Sequence, residues 1–204
     1  MGLHKLKVRA QRAVASTWII PAAMVLIGFL IVLAGDPGRE GLRYDRVWIA
    51  GAEGWRLLSG HFTHLGWSHF ALNCAGLMLI WYLVGGAYAL RSWLLIILVT
   101  LATIDMGFWF LNPELNWYVG LSGLLHGLLV AGIASRCRPP NAETIVLALF
   151  LVAKLGWEQF GGPVPGSEVA SGGPVVVDAH LYGALGGMLG ALLVRIRVEP
   201  PASI

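Results

Sequence analysis

The sequence predicts an all-α membrane protein, a bundle of six transmembrane helices. Three observations carry this. Hydrophobic residues make up 57% of the 204-residue chain and charged residues 12%, about half the charge of a soluble domain of this size. Mean hydropathy is +0.72. The apolar residues fall in continuous runs, without the period of two that a membrane β-barrel needs. One bundle accounts for the whole length, with no second domain.

The first apolar run, 17–34, follows Lys5, Lys7, Arg9 and Arg12. A signal peptide has the same layout, but this run is long enough to span and reads as a retained helix. Residues 1–16 are then a cytoplasmic basic N-terminus, 17–195 the six-helix domain and 196–204 a cytoplasmic tail. The other spans run 67–84, 92–111, 121–135, 142–157 and 175–194. The fourth and fifth fall short of the roughly 20 residues that a bilayer core requires. Part of each should lie inside the bundle.

Breakers and caps mark the boundaries. Ser68 can cap the second span, and Pro113 follows the third. Pro139-Pro140-Asn141 separates the fourth from the fifth, and Gly172-Gly173-Pro174 opens the sixth. The loop 35–66 carries Trp48 and Trp55 and leads into Trp67, so it should lie in the membrane interface. The stretch 158–174, rich in Gly, Pro and Ser, reads as flexible. Cys74 and Cys137, near the ends of different spans, read as ordinary thiols rather than a disulfide.

The basic residues sit at helix ends and not in a patch, so the net charge of +3 gives no case for nucleic acid. One side carries Lys5, Lys7, Arg9, Arg12, Arg91, Arg136, Arg138, Arg195 and Arg197. The other carries Arg39, Arg43, Arg46, Arg56 and, near the end of span five, Lys154, interleaved with Asp36, Glu40, Asp45, Glu53, Glu114, Glu158, Glu168 and Asp178. The asymmetry makes both termini cytoplasmic. Spans two, four and six then start on the outer face. His69, Ser122 and His180 fall within the first two turns of these spans, at a similar shallow depth.

A hydroxyl nucleophile needs a base within hydrogen-bond reach and donors aimed at the developing oxyanion. Ser122, in Gly120-Leu121-Ser122-Gly123, fits the first role; a small residue that helps helices pack would look the same. His180 fits the base. Gly183 and Gly187 follow it on one face, and Gly123 and Gly127 offer a matching face on span four, which would bring His180 near Ser122. His69 and Asn73, four apart, share a helix face and can both donate. His126, four after Ser122, is a rival base or a ring stacked on His180. Asp105 reads as a buried hydrogen-bonding group. No carboxylate stands where it would obviously orient His180, since Asp178 faces elsewhere. His61 and His64 read as interfacial. With no H-E-x-x-H pair and too few histidines for a di-iron site, neither a metal nor another cofactor is expected. The stretch 158–174 with Trp157 and Phe160 is the expected lateral gate.

Four motifs resemble the rhomboid family of intramembrane serine proteases. Trp55-Arg56-Leu57-Leu58 looks like the W-R signature of its first loop. His61-Phe62-Thr63-His64, then His69 to Asn73, look like its F-T-H and H-x-x-x-N elements. Gly120-Leu121-Ser122-Gly123 looks like its G-x-S-G, and Ala179-His180-Leu181-Tyr182-Gly183 with Gly187 like its A-H-x-x-G-x-x-x-G. The resemblance runs from Trp55 to about Gly190. It implies a six-helix fold, a Ser122–His180 dyad with no third acid, and an oxyanion hole from His69, Asn73 and the Ser122 N–H. Rhomboids usually have Tyr or Phe where His126 stands. The segment Tyr118 to Gly127 is instead similar to the rhombosortase subfamily. Rhombosortases process bacterial surface proteins with a C-terminal GlyGly-CTERM tail, which has a Gly-Gly pair, an apolar helix and a basic end. The resemblance thus implies an inner-membrane enzyme with a site on the periplasmic side, acting on membrane-anchored proteins within the lipid bilayer. Intact Ser122 and His180 argue against an inactive relative that binds transmembrane helices without cutting them.

Overall fold

The computed structural model describes residues 17–137 and 140–198. The basic stretch 1–16, Arg138, Pro139 and the tail from 199 lie outside the described residues. The long helices form where the apolar runs predict them. They are α1 (Ile19–Leu33), α5 (Trp67–Val84), α6 (Leu90–Leu111), α7 (Ser122–Ser135), α8 (Ala142–Gly161) and α10 (Val177–Val198). Four of them, α5, α6, α8 and α10, are long and apolar enough to cross a membrane by themselves. A fifth span results if α1 is counted with α2 (Gly35–Leu42), to which it is bent by 118°. The remaining apolar helix, α7, has 14 residues.

That short helix is the centre of the bundle. Leu124 and Leu128 on α7 are fully buried against Leu77, Trp81 and Val84 of α5 and Ile96 and Leu101 of α6. Outward-facing side chains are apolar as well: Leu26, Phe29, Leu98, Phe110, Phe150 and Leu185 are all exposed. A water-soluble monomer does not present so continuous an apolar surface. The chain is an integral membrane protein. α8 is the most peripheral of the long helices; its apolar window is 17% buried, against 56% for α10.

Glycine faces set the closest approach in the fold. A Cβ on Gly183 would land on the carbonyl oxygen of Gly123, and one on Gly187 on that of Gly127. The backbones of α7 and α10 are therefore in direct contact, as small residues permit between membrane helices.

The loop 35–66 is more ordered than its composition implies. It folds into α2, a two-residue strand β1 (Tyr44–Asp45), α3 (Arg46–Ala50), α4 (Arg56–Ser59) and a 3₁₀ turn at Gly60–Phe62. β1 pairs antiparallel with β2 (Trp117–Tyr118), which sits just before α7. Its arginines are structural donors. Arg46 donates to the carbonyls of Phe108, Trp109 and Asn112 at the end of α6, at 2.5–3.3 Å, where helical carbonyls lack intrahelical partners. Arg56 is 6% exposed, pairs with Glu53 at 2.6 Å and donates to the Glu40 and Arg43 carbonyls. Asp105 of α6 is hydrogen-bonded to His61 at 3.1 Å, which ties the loop to the bundle.

Three local expectations change. Ser68 does not cap α5; its hydroxyl donates to the Ser171 carbonyl at 3.4 Å. His61 and His64 are buried in the protein, not interfacial. Burial, then the neighbouring His69, lowers the His64 imidazole to about 3, which keeps it uncharged under the loop. The fifth predicted span, α8, continues to Gly161, capped at its start by the Asn141 side chain on the Thr144 N–H at 2.8 Å. Only after Gly162 does the chain turn, and even there a short helix α9 (Ser167–Ser171) forms.

Candidate active site

Ser122 is the first residue of α7. The main chain reaches it through Gly120, at φ +138°, a conformation that side chains with a Cβ rarely adopt. A Cβ there would also stand 3.0 Å from His69 Cε1. Gly120 is clamped on both sides: its N–H donates to the Gly60 carbonyl at 3.2 Å, and its own carbonyl accepts from the Tyr118 hydroxyl at 2.6 Å. Ser122 thus sits on a rigid corner. Helix-start N–H groups lack intrahelical partners and carry the positive end of the helix dipole, so the corner favours negative charge.

His180, 5% exposed, lies near the start of α10. Its Nε2 is 3.0 Å from Ser122 Oγ. The glycine contacts one and two turns further along α10 fix that approach. The His126 ring is stacked on the His180 ring, centroids 4.2 Å apart and 19° from parallel, and His126 Nδ1 is 2.7 Å from the Ser122 carbonyl. Of the two roles open to His126 from sequence, its geometry is that of the stacked ring.

His180 Nδ1 meets a carboxylate. Glu158 Oε2 is 2.9 Å away, and Glu158 is 3% exposed. Lys154, one turn earlier on α8, donates to Glu158 Oε1 at 2.7 Å and stands 3.5 Å from His180 Nδ1. The sequence offers no carboxylate that would obviously orient His180; the structure puts Glu158 there. The apolar run of span five ends at 157, which places Glu158 in a loop by composition alone. Lys154-x-x-x-Glu158 inside an apolar helix was the available signal: a pair four apart shares a face, and ionisable groups in spans are costly unless used. Asp178, by contrast, accepts from the Asn112 side chain at 2.8 Å.

A cavity of about 390 Å³ opens over Ser122. His69, Asn73, His126, Lys154, Glu158 and His180 bring polar atoms to it, while Leu72, Val119, Val164, Val175 and Val176 supply apolar wall. Asn73, 4% exposed, donates one N–H to the His69 carbonyl at 3.1 Å, which leaves the other available. His69 Nδ1 accepts from the Leu65 N–H at 3.3 Å, so its Nε2 carries the ring proton. The structure therefore brings His69, Asn73, Ser122, His126 and His180 together. Gly123 is not on the cavity wall; its Cα face meets the Ala179 carbonyl, 2.8 Å from where a Cβ would lie. Trp157 and Phe160 also point elsewhere, 53% and 96% exposed on the outer face of α8.

His126, Glu158 and His180 present ligand atoms within 4.8 Å of one another, close enough to hold a metal ion. The Lys154 ammonium already provides the cation for that carboxylate. A second positive charge in the same space would meet it directly, so the donor set does not fit a metal.

Chemically, the arrangement can move a proton. A carboxylate can only accept, so Glu158 holds the proton of His180 on Nδ1. That leaves Nε2 as an acceptor facing the Ser122 hydroxyl. Fold and site together define a helical integral membrane protein with a hydrogen-bonded serine and histidine inside the bundle. The Rhomboid domain model matches residues 51–197, and the chain belongs to the rhomboid family. Members of that family are generally serine intramembrane proteases, which act on transmembrane substrates in the bilayer. No curated protein matches the chain.

Proposed function

We propose that this protein is an intramembrane serine endopeptidase of six spans, with α7 as the short fourth. Ser122 is the nucleophile and His180 the general base. One observation carries the reading: the 3.0 Å approach of His180 Nε2 to Ser122 Oγ beside a polar cavity. A structural serine has no need of a base at that distance. Reaction with a fluorophosphonate tests it. Covalent labelling of the wild type, lost in Ser122→Ala, is the expected result. No labelling in any detergent or lipid means a non-catalytic binder of transmembrane helices.

The oxyanion donors are His69, Asn73 and the Ser122 N–H. Asn73→Ala should lower the cleavage rate roughly tenfold to a thousandfold, the range for losing one such donor. A rate within twofold of wild type would leave the task to the other two groups.

The substrate we propose is a C-terminal transmembrane anchor of the GlyGly-CTERM type on an exported protein, cut near the outer membrane–water boundary. The setting is the bacterial inner membrane, with both termini cytoplasmic and the site facing the periplasm, as the distribution of basic residues supports. Glycine lowers the cost of leaving a helix, and it passes between the valine walls of the cavity without a side chain to clash. The similarity of the Tyr118–Gly127 segment to rhombosortases supports the same choice. Comparative membrane proteomics of an active and a Ser122→Ala strain checks it. The accumulating uncut proteins should carry C-terminal anchors with small residues at the boundary; other anchors would overturn the substrate while sparing the protease.

A further inference from the structure

We infer that Glu158, held by Lys154, is a positioning residue for His180, which makes the centre a Ser122–His180–Glu158 triad. The inference rests on the serine-protease reading above. Three contacts define the His180 ring. His126 stacks on its face, Ser122 meets Nε2, and Glu158 meets Nδ1. Only the last can choose which nitrogen holds the proton. Glu158 and Lys154 compete for Nδ1, one as acceptor at 2.9 Å, the other as donor at 3.5 Å. Distance favours the carboxylate, and its charge strengthens the bond.

Lys154 has a separate task. It binds Oε1 and leaves Oε2 for the imidazole. It also balances the charge of a carboxylate that is 3% exposed, which an apolar site would otherwise make costly. During acylation the Ser122 Oγ–carbon bond forms while the Oγ proton moves to His180 Nε2. The same proton then leaves with the amine as the peptide C–N bond breaks. Glu158 takes up no proton; it keeps Nδ1–H in place and faces the imidazolium that forms between the two transfers.

The pair sits on α8, the most peripheral long helix. Toward the inner end α8 is seated by apolar contacts, Leu151 among them, against Val130, Ile133 and Ala184. At the cavity end its link to α10 is this polar bridge. The orientation of the base is therefore tied to whether α8 is docked.

Glu158→Gln separates this role from simple packing. Lys154 would hold the amide oxygen and turn the NH₂ toward Nδ1. The imidazole must then accept there and carry its proton on Nε2, facing Ser122 as a donor. The probe is a fluorophosphonate on the full-length protein, with the maximal labelling rate and half-saturating concentration measured separately. Glu158→Gln should lower the maximal rate on the order of 10² to 10⁴-fold, the scale set by a base in the wrong tautomer. The half-saturating concentration and thermal midpoint should stay within twofold and a few degrees. Glu158→Asp should recover part of the rate. Glu158→Gln with Lys154→Met should be no slower than Glu158→Gln alone, because the amide is then free to turn its oxygen to Nδ1. Multiplying losses in that double variant would overturn the linkage. Should Glu158→Gln fail to fold, Lys154→Met alone must still lower the maximal rate at least tenfold. Wild-type labelling by folded Glu158→Gln or Lys154→Met, with Ser122→Ala unlabelled, would overturn this inference and leave the protease intact. An unlabelled wild type would overturn both.

Discussion

Ser122→Ala and His180→Ala should each reduce cleavage of a transmembrane substrate to background while the thermal midpoint stays near that of wild type. The reason is local. Ser122 is half-buried at a helix start, where alanine fits without strain, and its hydroxyl is spent on the His180 bond. His180 contacts Glu158 through the other nitrogen, so removing it frees a carboxylate, but one that Lys154 still neutralises. The two losses should not multiply. In a nucleophile–base pair, removing one partner already removes what the other supplies. Combined Ser122→Ala and His180→Ala should therefore be no slower than either alone. Wild-type-like turnover by Ser122→Ala would end the serine mechanism.

Gly183→Ala should cost both stability and rate, although it adds a single methyl group at a position that does not line the cavity. The added Cβ would coincide with the Gly123 carbonyl, and neither backbone can yield without moving its helix. Overpacking of this kind costs about 1–3 kcal/mol. Gly183 is three residues after His180 on the same helix, and Gly123 directly follows Ser122. Separating these two backbones therefore separates the reacting atoms. A displacement of about 1 Å in such a pair costs on the order of a hundredfold in rate. Leu185→Ala, on the exposed face of the same helix, is the control and should change little. If Gly183→Ala labels with a fluorophosphonate at the wild-type rate and melts at the wild-type temperature, the helix contact does not set the distance between the two groups.

Much of this was legible in the chain because membrane helices announce themselves by composition. The six apolar runs match α1, α5, α6, α7, α8 and α10 to within a few residues. The glycine spacing on α7 and α10 pointed to their contact, since a glycine face has few uses other than close approach. Part of what escaped reading has no local signature. The β1–β2 pairing is two residues on each side, too short for any alternation. The Gly, Pro and Ser residues after 161 suggested that the chain left its helix earlier than it does. Glu158 was lost with that boundary, and with it the partner of His180. One step along a helix turns about 100°, so Trp157 and Phe160, one and two steps from Glu158, face the outside of α8 while Glu158 lines the cavity. Apolarity predicts that a residue is in a span, but not which way it looks when lipid and protein are equally oily.

The length of α7 has a consequence for how water reaches the chemistry. Arg136, just past the end of α7, donates to the Leu83 carbonyl at the end of α5, so the two helices finish level. α5 has 18 residues and α7 has 14. At 1.5 Å per residue, α7 stops about 6 Å short at the other end. The bundle therefore has a step in it, one turn of helix deep, and Ser122 stands on its floor. The first turns of α5, with His69 and Asn73, form the riser. Hydrolysis at Ser122 would need water inside the membrane, and a bundle with one turn of helix left out has room for it.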